Sequence, residues 1–242
     1  MRDFAVEDLS VTYGYEPVLW DIDLRVGSGT LHGIVGPNGA GKSTLIKAAL
    51  DLVPKLTGHV TFDGDAYKTV YKDIGYVPQK GSVDWDFPTT VFDVVLMGRY
   101  GKIGWLRRVR QQDKKQALKA LEDVGMLEYK NRQISMLSGG QQQRVFLARA
   151  LVQDASIYFM DEPFQGVDVK TEKAIVDVLK NLKKAGKTVI VVHHDLGTVE
   201  DYFDTLTLLN VRIVAHGPVA DVYTPNNIRR TYQTQLAGEM GR

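Results

Sequence analysis

The residues Gly36-Pro37-Asn38-Gly39-Ala40-Gly41-Lys42-Ser43-Thr44 gather small side chains, one lysine and two hydroxyls into a single short stretch. Their order fits G-x-x-x-x-G-K-[ST], in which glycines let successive backbone N–H groups turn toward one centre. Such a cluster ahead of a helix N-terminus attracts anions, phosphate above all. Lys42 supplies a point charge for the β- and γ-phosphates of a nucleotide, and the Ser43 hydroxyl is a hard oxygen ligand for Mg²⁺. Gly36, Asn38, Gly39, Gly41 and Thr44 complete the predicted cradle. A second group, Ile157-Tyr158-Phe159-Met160-Asp161-Glu162, is an apolar run closed by two carboxylates. Asp161 is expected to hold Mg²⁺ through water. Glu162 is expected to orient the water attacking the γ-phosphate in line, or to take its proton. Leu137-Ser138-Gly139-Gly140-Gln141 is a third group: Ser138 is a good N-cap, and the glycines expose N–H groups at a helix start.

The elements that must position these groups are legible from periodicity. Phe4 to Val11 and Leu19 to Val26 alternate as strands of a sheet with one wet face, and Gly58 to Asp63 reads as an edge strand before the Gly64 turn. Leu31 to Val35 is a buried strand leading into the glycine loop, followed by a helix with Leu45, Ala48, Ala49 and Leu52 inward. From Pro88 to Gln153 the pattern turns helical. One stripe is Ala117, Leu118, Leu121 and Val124 with Gly125 as its cap, and a second helix follows Ser138 with Val145, Ala148, Leu151 and Val152 inward. Strand Ile157 to Met160 leads to a helix with Ala174, Ile175, Val178, Leu179 and Leu182 inward, ending near Gly186. Strands Thr188 to Val192, Thr205 to Leu209 and Arg212 to His216 close the pattern. Alternating strands and helices predict a parallel α/β sheet carrying an inserted helical subdomain at about 88–153 within one domain, and 233–242 as a mobile tail with no readable task.

Composition narrows the classes. The 242 residues are 44% hydrophobic and 24% charged, with a formal net charge of +1 and no cysteine. That is an ordinary globular balance without a disulfide framework, thiolate metal sites or the basic excess usual for nucleic-acid binding. No signal-peptide run follows Met1, and no stretch approaches the ~18 apolar residues of a membrane helix, so work at a membrane would need another chain to span it. The basic cluster Lys102, Arg107, Arg108, Arg110, Lys114 and Lys115 reads first as a solvated face, second as a surface for an anionic leaflet, and last as a nucleic-acid contact.

Taken together, the Gly36–Thr44 loop, Leu137–Gln141 and the Asp161-Glu162 strand resemble the ATP-binding cassette family, in family order from about Phe4 to Tyr232. The resemblance implies a P-loop (RecA-like) core with an antiparallel β subdomain and a helical insertion. It implies further site residues: Tyr13 stacking on adenine, Gln79 contacting Mg²⁺ and water, Asp168 in the loop after the carboxylates, and His194 sensing the γ-phosphate. It also implies a sandwich dimer, in which each ATP lies between the Lys42 loop of one copy and Ser138, Gly139, Gly140 and Gln141 of the other. The sequence departs from the common family pattern at Phe164-Gln165-Gly166-Val167-Asp168, where altered loop packing is expected around a retained aspartate. His193 reads as a packing or hydrogen-bonding residue, since neither it nor His194 has neighbours at metal-ligand spacing.

The stretch from Val83 to Pro88 and from Val94 to Gly101 resembles the ATPases of importers for manganese, zinc or iron, with the manganese branch nearest. That resemblance implies a membrane permease docking on the Gln79–Tyr100 region, with Trp85, Phe87, Phe92 and Tyr100 as apolar anchors. It implies an indirect partnership with an extracytoplasmic metal-binding protein and a peripheral place on the cytoplasmic face of the membrane. The competing readings are the ATPase of a different ABC transporter, a soluble cassette ATPase acting on nucleic acid or ribosomes, and a nucleotide-binding regulator without turnover. About sixty residues between Gln79 and Ser138, without sustained heptads, disfavour the coiled coil of repair relatives. A single cassette disfavours the translation relatives, and intact Lys42, Asp161, Glu162 and His194 disfavour a regulator.

Overall fold

The computed structural model describes residues 2–79, 88–104 and 108–239, with 234–239 described by backbone alone. Strands β1 (Phe4–Tyr13) and β2 (Glu16–Val26) form an antiparallel hairpin, and β4 (Thr57–Phe62) pairs with the other edge of β1. The short β5 (Asp65–Ala66) completes a four-stranded antiparallel sheet in the order β2-β1-β4-β5. Its alternation buries Phe4, Val6, Leu24 and Val26 on one face, as a half-wet sheet requires.

The second sheet has six strands: β3 (Leu31–Val35), β6 (Ile74–Val77), β7 (Ile157–Asp161), β8 (Thr188–His193), β9 (Thr205–Asn210) and β10 (Arg212–Pro218). Their order is β10-β9-β3-β8-β7-β6. Five run parallel, while β10 returns antiparallel to β9, so the expected parallel sheet carries one antiparallel edge. The buried strands alternate between two cores. In β7, Ile157 and Phe159 face α1 (Lys42–Ala49) and the small sheet, whereas Tyr158 and Met160 face the helical side. Helix α1 is thereby held between two sheets, with Leu45, Ile46, Ala48 and Ala49 all buried.

On the opposite face lie α3 (Val91–Met97), α5 (Gln111–Asp123), α6 (Gly139–Leu151) and α7 (Val169–Lys184), with the one-turn α4 (Tyr100–Ile103) after α3. The remaining helices are α2 (Tyr67–Val70), α8 (Val199–Tyr202), α9 (Val219–Val222) and α10 (Pro225–Glu239). Residues 233–239, expected as the start of a tail, continue the backbone of α10. Among the described residues no helix is long and apolar enough to cross a membrane.

Helix ends follow local chemistry. Gly125, at φ 65°, and Gly186, at φ 76°, each close a helix with the paired end bonds of a Schellman motif, as expected. The same motif at Asp51, at φ 52°, stops α1 at Ala49 and turns Leu52 outward to 58% exposure, where helical spacing had placed it inward. Two other expected core positions shift by a residue or two. Leu118 is only half-buried while Ala120 is buried, and Ala174 is exposed while Val176 is buried, because each helix is rotated by its packing against neighbours no periodicity encodes.

A polar knot sits inside the sheet. The ring of His32 is fully buried, bonded at Nδ1 to Thr205 Oγ1 (2.8 Å) and at Nε2 to Thr207 Oγ1 (2.9 Å), with His216 on the far side of Thr207. Burial, aided by His216, lowers the His32 pKa to about 3, and burial lowers that of His193 to about 4. The unfolded chain binds protons at both sites from about pH 6.5 downward, and the folded chain does not until lower pH. Stability should therefore fall as pH drops from 6.5 toward 4, with a slope approaching about 1.4 kcal/mol per pH unit for each histidine. Urea unfolding across that window should show the decline, and His32→Gln should remove one histidine's share of the slope.

Candidate nucleotide site

Parallel register brings the strand ends into one row. Val35 pairs with His193, Asp161 with Val192, and Val77 with Met160, so the loops after β3, β6, β7 and β8 open at the same carboxyl edge, where α/β sheets bind ligands. The Gly36–Gly41 loop leaves β3 against β9. A Cβ on Gly36 would sit 1.9 Å from the Leu209 carbonyl oxygen, so only glycine fits there. Gly41, at φ 92°, caps α1 without a side-chain bond, leaving the N–H groups of the first turn open to an anion.

The predicted catalytic side chains converge at this edge. Ser43 Oγ donates to Asp161 Oδ1 (2.8 Å), and Gln79 Nε2 donates to Glu162 Oε2 (3.2 Å). Lys42 folds back over its own loop, donating from Nζ to the carbonyls of Gly36 (2.7 Å) and Pro37 (2.9 Å). Burial draws its pKa below the ordinary lysine value, against the pull of Glu162 and Asp161. Burial pushes the Asp161 carboxyl up, which the Ser43 bond and Lys47 partly offset. Glu162 adopts φ 51°, an uncommon conformation for a non-glycine residue, with its N–H bonded to Val192 O across to β8. An open cavity of about 510 Å³ is lined by Gly36, Pro37, Asn38, Gln79, Glu162 and His194, together with Gln165 and Tyr232.

Other predicted residues lie elsewhere. Tyr13 is 53% exposed at the end of β1, outside that cavity. Ser138 and Gln141 form a capping box at the start of α6: Ser138 N donates to Gln141 Oε1 (2.9 Å) and Gln141 N to Ser138 Oγ (3.4 Å). Gly139 and Gly140 remain half-exposed there, and a Cβ on Gly140 would meet Thr171 at 3.4 Å. Asp168 caps α7, accepting from Thr171 N (3.0 Å) and Thr171 Oγ1 (2.8 Å), which hold its carboxyl below the usual range. The Ser138 helix start and Asp168 thus share one surface through Thr171, apart from the cavity that contains Glu162.

Sequence reasoning missed two wall residues. Gln165 accepts from Gln79 Nε2 (3.4 Å), and its position three residues after Glu162 was the available signal. Tyr232 arrives from α10, and nothing in its neighbourhood announces it. Phe164, part of the unusual loop, packs edge-on against the buried His193 ring at 5.3 Å, and His193 Nε2 bonds Thr198 Oγ1 at 2.8 Å. A separate groove of about 300 Å³ runs between the core and the helical side, lined among others by Tyr71, Ile74, Tyr76, Met97, Gly101 and Arg149. Of the expected apolar anchors, Trp85 and Phe87 lie outside the described residues. Phe92 is half-buried against the core, and Tyr100 is 51% exposed without lining the groove.

The ABC transporter family model matches residues 19–165, more than half of the chain. The manganese transport system ATP-binding protein MntB of Bacillus subtilis (strain 168) is 59% identical over 236 residues, 98% of this chain and 94% of that protein. This chain belongs to the ABC transporter family. The zinc transport system ATP-binding protein TroB of Treponema pallidum (strain Nichols) is 55% identical over 235 residues, 97% of this chain and 88% of its own length. A nucleotide-free ATP-binding cassette from an ABC transporter superposes with a TM-score of 0.79 at 25% identity, covering 96% of each chain. The chain is thus the ATPase of an ABC transport system, with the P-loop fold of that family.

The tight seat of Gly36 in this ABC ATPase can be measured. Gly36→Ala should cost about 1–3 kcal/mol in urea unfolding, the usual penalty of overpacking. Asn38→Ala, at an exposed position of the same loop, should change stability by less than about 0.5 kcal/mol.

Proposed function

We propose that this chain hydrolyses ATP to energise import of a divalent transition metal, manganese foremost, through a separate membrane permease. The observation that carries the chemistry is the meeting of Lys42, the Ser43–Asp161 bond and the Gln79–Glu162 bond at one strand edge. The cargo follows from relatives 59% and 55% identical, whose names specify manganese and zinc. Zinc and iron are therefore the alternatives to compare. The metal is cargo of the permease, delivered by an extracytoplasmic binding protein, and does not bind this chain.

The open N–H groups of the α1 start receive the phosphates, and Lys42 exchanges its bonds to the Gly36 and Pro37 carbonyls for phosphate oxygens. Ser43, Asp161 and Gln79 form an all-oxygen donor set, and a buried carboxylate with a raised pKa suits a cation, so these residues fit Mg²⁺. The ion, when bound, neutralises charge on the phosphate oxygens. Glu162, oriented by Gln79 and by its anchored backbone, accepts the proton of the attacking water. His194 stands exposed over the same cavity and positions the terminal phosphate.

A second copy completes the site. The anion nest at Ser138–Gln141 and Asp168 lie off the cavity of their own chain, and a two-fold arrangement lets each nucleotide use the Lys42 loop of one copy and the nest of the other. Tyr13, exposed at the end of β1, is the residue assigned to adenine stacking. ATP then holds the copies together and hydrolysis releases them, which moves a permease seated in the Tyr71–Met97–Arg149 groove on the cytoplasmic face of the membrane.

In the reconstituted complex, ATP-dependent uptake of radiolabelled Mn²⁺ should exceed that of Zn²⁺ and Fe²⁺. Equal uptake without ATP would sink the reading. Glu162→Gln should retain ATP, favour the dimer and slow turnover by about 100-fold or more, the usual contribution of a positioned base. Gly101 lines the groove with open space around it. Gly101→Arg should therefore leave thermal unfolding unchanged while abolishing co-purification with the permease.

A further inference from the structure

The middle of helix α10 lines the candidate nucleotide cavity, and its attachment there is specific. The corner between β9 and β10 grips the phosphate loop on one side: Val211 N donates to Ala40 O (3.1 Å), and the Leu209 carbonyl lies against Gly36. On its other side the same corner grips α10, where Asn210 Nδ2 donates to Thr231 O (2.8 Å). Thr231 is fully buried, its hydroxyl donating to Asn227 O (2.8 Å). Val211 sits at φ 60°, a strained conformation for a β-branched residue, and its carbonyl is fixed by Trp20 N at 2.9 Å. A strained corner persists only where its surroundings over-determine it, so the spacing from Ala40 to Thr231 is rigid. The next residue, Tyr232, is half-buried and lines the cavity with Gly36, Asn38, Glu162 and His194. Its hydroxyl makes no hydrogen bond among the described residues. A phenol is protonated at neutral pH and is a neutral donor, suited to an anionic oxygen.

We propose that Tyr232 is a nucleotide-site residue whose phenolic O–H donates to the terminal phosphate group of bound ATP, so that α10 registers whether that group is present. The proposal rests on the nucleotide reading of this cavity. Glu162, Gln79 and His194 are the groups that would meet that phosphate, and Tyr232 lines the same cavity. The Asn210–Val211 corner is the positioning element that holds α10 in reach.

Calorimetric titration of the full chain with Mg²⁺ and either ADP or the β,γ-imido analogue of ATP tests this. Tyr232→Phe keeps the ring and removes the donor. It should bind the analogue about tenfold more weakly, the size of one bond to a charged acceptor, with ADP affinity unchanged. Asn210→Ala should weaken the analogue selectively in the same sense. Unchanged affinities in Tyr232→Phe, or equal weakening for both nucleotides, overturn the proposal. Lys42→Ala separates the two levels. If it loses both nucleotides while Tyr232→Phe keeps the wild-type ratio, the tyrosine assignment alone fails. If Lys42→Ala binds both as wild type does, the cavity is not the nucleotide site and both readings fall.

Discussion

One hydrogen bond, from Ser43 at the start of α1 to Asp161 at the end of β7, ties together residues that lie 118 apart in sequence. It forms because β3, β8 and β7 run parallel in adjacent register and end level with one another. Everything else at the site is referred to that row. Glu162 follows Asp161 by one residue and is fixed to β8 by its backbone, Gln79 reaches it from beyond β6, and His194 stands one residue past the end of β8. A one-residue slip of any of these strands would turn its functional side chain toward the opposite face. The buried alternation on both faces of the sheet opposes such a slip, since it would expose Ile157 and Phe159 or Tyr158 and Met160 to the wrong core.

Two helix starts in this chain carry similar residues and are finished differently. The start of α1 has no side-chain cap, and Lys42 donates to the loop carbonyls of Gly36 and Pro37. The start of α6 is closed by Ser138 and Gln141 bonding each other's backbone. One leaves its first-turn donors without a side-chain cap, and the other is a self-sufficient helix end with half-exposed glycines beside it. That asymmetry accords with the proposed arrangement, in which one nest grips the nucleotide and the other meets it from a neighbouring copy.

Much of the site could be read from the chain because its parts are local. The glycine loop, the apolar strand closed by Asp161 and Glu162, and the Ser138 helix start each lie within a few consecutive residues, and each states its chemistry through residue type and spacing. Helix ends at Gly125 and Gly186 were legible for the same reason. The end of α1 was not, since Asp51 does there what a glycine usually does. Leu118 and Ala174 were misplaced because a helical stripe broad enough to be buried leaves its rotation to the partners, as the burial of Ala120 and Val176 records.

By itself the sequence determined the family, the phosphate-binding loop, the carboxylate pair and the strand-helix alternation, since all of these are written in short-range patterns. Only the tertiary structure decided that β10 runs antiparallel, that a groove between the core and the helical side is walled by Tyr71, Tyr76, Met97 and Arg149, and that Gln165 and Tyr232 line one cavity with Glu162. The physical reason is distance along the chain. Tyr232 comes 70 residues after Glu162 and reaches the cavity through a corner whose strain and hydrogen bonds exist only once β9, the phosphate loop and α10 have packed together.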